Sequence, residues 1–228
     1  MKSAFNNARA KVRLRTRIRE MTPIVREAIS VRRGEIEPCR ITQIRGFLLA
    51  EDKQILSNYV RSLPRKSIIV EIGSFLGLSA TIMSASRRDC RVICIDPCDL
   101  SGEEGSLADY QRLGLRGAAQ YWRLWLNLAL YGARARIIKA TSQSALKKVH
   151  TKFNLLFIDG DHSYEACARD VHSYAPYLQL GGTLILHDAT EVGWPGPIRL
   201  ARELRDSDAW ELVEERGNCA VFRKLGEG

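Results

Sequence analysis

Along the chain, the spacing of apolar and polar positions switches repeatedly between two periods. Short aliphatic, β-branched runs alternate with longer stretches of helical spacing. Strands are expected at 67–72, 91–96, 135–140, 153–159, 182–187, 210–214 and 219–223. Helices are expected at 78–87, 106–130, 142–149, 164–178 and 197–206. Runs such as Ile68-Ile69-Val70 and Leu155-Leu156-Phe157-Ile158 are apolar without alternation, as strands buried on both faces are. Strand and helix in turn imply a parallel sheet with helices on both sides. Only Glu215-Arg216-Gly217-Asn218 separates the last two strands, and so short a link permits only a hairpin. The expected fold is α/β and doubly wound: a mostly parallel seven-stranded sheet with an antiparallel C-terminal hairpin.

Ahead of the sheet the pattern thins. Residues 4–21 read as a basic helix with Val12, Leu14, Ile18 and Met21 as sparse apolar points. Thr22-Pro23 starts a second helix, with Pro23 at its first position, and Gly34 stops it after Arg33. Beyond a loop through Pro38, Glu51 to Arg61 reads as an amphipathic helix with Ile55, Leu56 and Val60 near one face. Pro64 ends it. We divide the chain into a basic helical arm, 1–45, and a domain, 46–228; 228 residues suit one α/β domain with a small appendage.

Charge sharpens this division. The net charge is +9. Residues 1–35 hold ten Lys or Arg against Glu20, Glu27 and Glu35, an excess of seven, which leaves +2 for the rest. The basic character belongs to the arm, where it reads either as a solvated helix face or as a grip on an anionic partner. No run of 18 apolar residues predicts a transmembrane span, and Met1 to Asn7 lacks the apolar core of a secretory signal. The six cysteines show no C-x-x-C spacing. Reduced thiols and a cytoplasmic location are expected.

Candidate chemistry gathers at strand ends. The first strand runs into Glu71-Ile72-Gly73-Ser74-Phe75-Leu76-Gly77-Leu78-Ser79. The spacing is E-x-G-x-x-x-G rather than the G-x-G-x-x-G that seats a pyrophosphate, which disfavours a nicotinamide-dependent dehydrogenase. Gly73 and Gly77 permit a sharp turn that lies close to a ligand. The second strand ends in Asp96, where an acid accepts from ribose hydroxyls or serves as a turn residue before Pro97. After the third strand, Ser142 reads either as a helix cap or, with Gln143, as a contact to an adenine edge. The fourth strand ends in Asp159-Gly160-Asp161-His162 and the fifth in His187-Asp188. Asp159, His187 and Asp188 suit one divalent cation, provided the fifth strand has ended before Asp188. Histidine is softer than magnesium prefers, so manganese and iron fit as well. The alternative is a hydrogen-bonded polar cluster without metal. The 97–131 stretch carries Tyr110, Tyr121, Trp122, Trp125 and Tyr131, as core or as a wall for a substrate.

Over roughly residues 46–224 these motifs resemble class I S-adenosylmethionine-dependent methyltransferases, which have a Rossmann-like sheet. The resemblance is greatest to the catechol O-methyltransferase-like and macrocin-type sugar O-methyltransferases. It implies S-adenosylmethionine as cofactor, with Gly73, Ser74, Phe75 and Gly77 forming the turn around it. By the same resemblance Glu71 lies near the methionine portion, Ser79 binds its carboxylate, Asp96 takes the ribose, and Ser142 and Gln143 take the adenine. Asp159 and Asp188 match the metal-binding acids of metal-dependent members. Those members carry an amide or acid after the second aspartate, where this chain has Ala189. His162, with Asp161 beside it, falls where related enzymes place a base. The expected function is O-methylation of a small-molecule or sugar hydroxyl, assisted by a divalent cation if one binds, in a chain that can self-associate. An RNA methyltransferase gripping phosphates with its arm ranks lower, because no aromatic-plus-basic RNA module is visible. A non-catalytic cofactor-binding or membrane-surface protein is the third reading.

Overall fold

A computed structural model describes residues 22–100, 110–111, 117–149 and 151–226. Seven strands form one sheet: β1 Ile68–Ile72, β2 Arg91–Asp96, β3 Ala135–Lys139, β4 Phe153–Ile158, β5 Leu178–Leu186, β6 Trp210–Arg216 and β7 Cys219–Lys224. Their order is β3-β2-β1-β4-β5-β7-β6. The first five strands run parallel, and β7 is antiparallel to both β5 and β6. The doubly wound sheet with its C-terminal hairpin is as the pattern predicts.

Helices cover both faces. One face carries α1 (22–33), α2 (Ala50–Ser62), α3 (Leu78–Ser86) and α4 (Gly117–Tyr131); the other carries α5 (Ser142–Leu146), α6 (Tyr164–Tyr174) and α7 (Pro195–Arg205). Successive strand residues point to opposite faces, so each strand feeds two cores. Ile69, Val92, Cys94, Leu155 and Phe157 pack on the α1–α4 side. Val70, Ile93, Ile95, Leu156 and Ile158 pack on the α5–α7 side. This double burial is why the strands read as unbroken apolar runs.

Two elements depart from the pattern. The helix expected to reach 178 stops at Tyr174, and Ala175–Tyr177 form a 3-10 turn in which Pro176 has no N–H to continue the ladder. Strand β5 begins at Leu178 rather than 182, with a register shift against β4 between Phe153 and Leu155 that absorbs Gly181 and Gly182. The predicted helix over 4–21, and most of 101–116, lie outside the described residues.

The segment from 22 to 45 sits on the domain. Ala28, Val31, Ile41 and Ile44 are buried in the α1–α4 core, and the Glu27 carboxylate accepts hydrogen bonds from Tyr131, Thr42 and Gln43. Among the described residues, no helix is long and apolar enough to cross a membrane.

Candidate functional site

Strand β1 lies between β2 and β4, so the strand order reverses there and the carboxyl ends of β1 and β4 open a crevice. A cavity of about 540 Å³ occupies it. The turn after β1 shapes its floor. Gly73 has φ +86°, and a Cβ there would stand 1.9 Å from the Asp159 carbonyl oxygen. Gly77 has φ +82°, and its Cβ would meet Leu124 at 2.8 Å. The two glycines thus bring the end of β4 and helix α4 against the turn, and Gly73 also lines the cavity. Phe75 adopts φ +45°, strained for a side-chain-bearing residue. Its N–H donates to Asp96 Oδ2 at 2.7 Å, and its ring packs between Phe47 and Tyr110 at the cavity wall.

Of the acids and serines read from this motif, some lie beneath the cavity rather than on it. Glu71 is fully buried on the α3 side and accepts from Ser74 Oγ at 2.5 Å and from Ser79. Burial pushes its carboxyl up to about 7, against the hydrogen bonds of the two serines. Neither Glu71, Ser74, Gly77 nor Ser79 lines the cavity. Asp96 does. Its carboxylate accepts from the N–H groups of Phe75 and Cys98, at 2.7 Å each, and from Gln120 Nε2 at 3.1 Å. Burial holds its carboxyl above the usual range despite these donors.

At the other end of the cavity stand Ser142 and Gln143. The cap of α5 is Thr141, whose hydroxyl accepts from Ser144 N–H, so Ser142 is not the cap. The Ser142 hydroxyl turns instead to Asp170, a buried α6 acid whose carboxyl burial raises above its usual range. Ser163 caps α6, its hydroxyl accepting from Ala166 N–H.

The polar cluster forms where β4 and β5 end. Strand β5 stops at Leu186, and Asp188 takes φ +53°, which swings its carboxylate back beside His187. His187 Nδ1 lies 3.0 Å from Asp159 Oδ1 and 3.1 Å from Asp188 Oδ2, and its Nε2 lies 3.2 Å from Asp52 Oδ2. Burial alone would lower its pKa, yet three carboxylates raise it well above the usual histidine range. Both ring nitrogens are therefore engaged. The groups able to share a cation are divided differently from the sequence reading: Asp159, His162 and Asp188 form one set and Asp52, His187 and Cys219 another, each with ligand atoms within 4.8 Å of one another. Burial would raise the Asp188 carboxyl, but His162 and His187 beside it bring it well below the carboxylate range. His162 Nε2 lies 3.2 Å from Asp188 Oδ2, and its ring stacks on Trp194 at 4.9 Å and 8°. Asp161 Oδ1 accepts from Ser163 N–H, an Asx turn that opens α6. All of Asp159, Asp161, His162, His187 and Asp188 line the cavity.

Among the residues of this site that went unread in the sequence are Asp52, Gln120, Asp170, Trp194 and Asn218. Asp52 is the third residue of α2, where it accepts from Leu49 N–H. Its contacts to His187 and Asn218 N–H span 135 and 166 positions and leave no local mark. Asn218 Nδ2 donates to Asp188 Oδ1 at 3.1 Å from the hairpin turn. Of the aromatic residues of 97–131, Tyr110 lines the cavity, Tyr131 is core, and Trp122 and Trp125 are 64% and 50% exposed.

Known proteins share this fold. A family model described as a methyltransferase domain matches residues 70–189, just over half of the chain. An uncharacterized protein, R132, of Acanthamoeba polyphaga mimivirus is 26% identical over 146 residues, 61% of this chain and 60% of that protein. The chain thus spans less than two thirds of that relative's length. The O-methyltransferase NovP superposes with a TM-score of 0.63 at 16% identity, covering 89% of this chain and 98% of NovP. The O-methyltransferase TomG from Streptomyces achromogenes, solved with S-adenosylmethionine, gives 0.59 at 14% identity over 89% and 90% of the two chains. The S-adenosylhomocysteine-bound methyltransferase PaMTH1 of Podospora anserina gives 0.57 at 12% identity over 95% and 96%. These structures share its fold, and the family match extends from β1 through the polar cluster: the chain belongs to the methyltransferase-domain family of class I S-adenosylmethionine-dependent methyltransferases.

Proposed function

We propose that the protein transfers the methyl group of S-adenosylmethionine to a hydroxyl oxygen of a small molecule, with His162 as general base. The observation that carries this is the placement of His162. It stands on the cavity wall, held by Asp188 through Nε2 and fixed in plane by Trp194. The cofactor's sulfonium makes the methyl group electrophilic; what remains for the protein is to align the acceptor oxygen and remove its proton. The cavity suits the cofactor's parts. Asp96 offers an acceptor for ribose, Ser142 and Gln143 offer polar groups for adenine, and Glu71 stabilises the turn from beneath. NovP and TomG, named as O-methyltransferases, support hydroxyl acceptors.

A second reading is favoured by the spacing of Asp159, His162 and Asp188, which suits a hard divalent cation such as magnesium or manganese. Such an ion would lower the hydroxyl's pKa. In that case His162 serves as ligand rather than base, since one lone pair cannot do both. His187, with both nitrogens on carboxylates, then orients Asp159 and Asp188 from behind. The test is turnover of S-adenosylmethionine to S-adenosylhomocysteine with a panel of catechols and sugars, with and without chelator. His162→Ala should lower turnover roughly 10²–10⁴-fold in either case. Chelator-insensitive turnover removes the cation from the mechanism, and full activity in the variant removes His162 from both roles.

A further inference from the structure

Asp96 lacks the free acceptor sites to hold a ribose alone. A carboxylate has about four lone-pair directions. At least three are occupied, by Phe75 N–H, Cys98 N–H and Gln120 Nε2. At most one remains, and a ribose presents two hydroxyls. Gln120 supplies the second acceptor. Its side chain rises from the first turns of α4 and is only 3% exposed. Its amide orientation is fixed: Nε2 faces Asp96 Oδ1 at 3.1 Å and the Phe75 carbonyl at 3.4 Å. Both accept only, so a flipped amide would set oxygen against oxygen. The flip is thereby excluded, and Gln120 Oε1 is left buried with no hydrogen-bond partner among the described residues, although the residue lines the cavity. A buried acceptor without a donor costs free energy that a hydroxyl proton arriving from the cavity would relieve.

We propose that Gln120 is a ribose-binding residue: its Oε1 accepts one cofactor hydroxyl while Asp96 accepts the other. The inference rests on the cofactor reading above and adds a residue from α4 to it. It also gives α4 a role in sensing the cofactor, since the same amide ties the helix to the end of β2.

Calorimetric titration of the full chain with S-adenosylhomocysteine and with its 2′-deoxy and 3′-deoxy analogues tests this. Wild-type protein should bind each analogue about three- to tenfold more weakly than the parent, the usual worth of one hydrogen bond. Gln120→Leu keeps the volume and helix propensity. It should bind the parent weaker by a similar factor, lose the penalty for one hydroxyl and keep the penalty for the other. Weakening of all three ligands by one common factor would mean that Gln120 merely braces α4, and overturns the inference. So does unchanged affinity for the parent. A structure of the wild-type complex decides the matter without the variant: Gln120 Oε1 beyond 3.5 Å of both hydroxyls overturns it, and contact within about 3.2 Å supports it. A wild type that binds none of the three ligands overturns the cofactor reading itself, a result distinct from the others.

Discussion

At the scale of single residues, the site rests on buried charge. Glu71 is the plainest case. Its carboxyl is raised from an ordinary 4.5 to about 7, with burial as the first cause. Between those values the folded state holds a proton that the unfolded chain has released. Stability contributed by Glu71 is therefore present below about pH 4.5 and is lost as pH rises to about 7. The size is about 3–4 kcal/mol, from about 1.4 kcal/mol per pH unit. Glu71→Gln should flatten that part of the stability profile and be relatively more stable at pH 8 than at pH 5. Urea denaturation across the range checks it; a variant whose slope matches the wild type would refute the assignment. Asp52 carries the opposite expectation. It is the partner of His187 Nε2 and also accepts from Leu49 and Asn218 N–H groups. Asp52→Ala leaves His187 Nε2 and the Leu49 and Asn218 N–H groups without their acceptor, at about 1–3 kcal/mol for each buried donor, read as a lowered denaturation midpoint. The sequence showed Asp96, Asp159 and Asp188 because each ends an apolar strand. It hid Asp52 and Gln120 because their partners lie far along the chain, and a helix-borne polar residue looks the same whether it meets water or a carboxylate.

At the scale of elements, the strand–turn–helix unit after β1 was legible, and only part of its reason was. The E-x-G-x-x-x-G spacing indicated a tight turn and close approach to a ligand, and Gly73 lines the cavity. The glycines also meet the chain itself, at the Asp159 backbone and the Leu124 side chain. The difference has an energetic consequence. Both positions lie at positive φ, so alanine at either costs about 1 kcal/mol in backbone strain. At Gly77 the added carbon meets the far end of a leucine that can rotate away. At Gly73 it meets a carbonyl oxygen at 1.9 Å, and the whole β4 loop must shift. Gly73→Ala should therefore lower the thermal midpoint several degrees more than Gly77→Ala, and it alone should displace Asp159 enough to impair turnover. Equal losses in the two variants would show that the turn, not the β1–β4 contact, sets the cost. The end of α6 was misjudged for a related reason: apolar spacing continued past Tyr174, but Pro176 removed a donor that periodicity does not register.

At the scale of the whole molecule, charge and packing divide the N-terminal region at different places. By charge, the basic excess extends through residue 35. By packing, the segment from 22 to 45 already contributes to the α1–α4 core: Ala28, Val31, Ile41 and Ile44 are buried, and Tyr131 donates to Glu27. A truncation series separates the two. Residues 1–20 contain seven Lys or Arg against Glu20, a net six of the nine positive charges. Their removal should leave the thermal midpoint and S-adenosylhomocysteine affinity within about twofold of the full chain, because among the described residues the cavity lining begins at Phe47. It should sharply reduce salt-dependent retention on an anionic matrix such as heparin, since such binding scales with the number of neutralised charges. Removal of residues 1–45 should behave quite differently. It strips four buried aliphatic side chains from the core and leaves the Tyr131 hydroxyl without its buried acceptor. Each loss is worth about 1–3 kcal/mol, enough together to exhaust the stability of an ordinary domain. That protein should be insoluble or molten, with no cofactor binding. A stable, ligand-binding 46–228 fragment would show that the segment from 22 to 45 is an appendage after all. A loss of affinity on removing 1–20 alone would place part of the cofactor site in the basic arm.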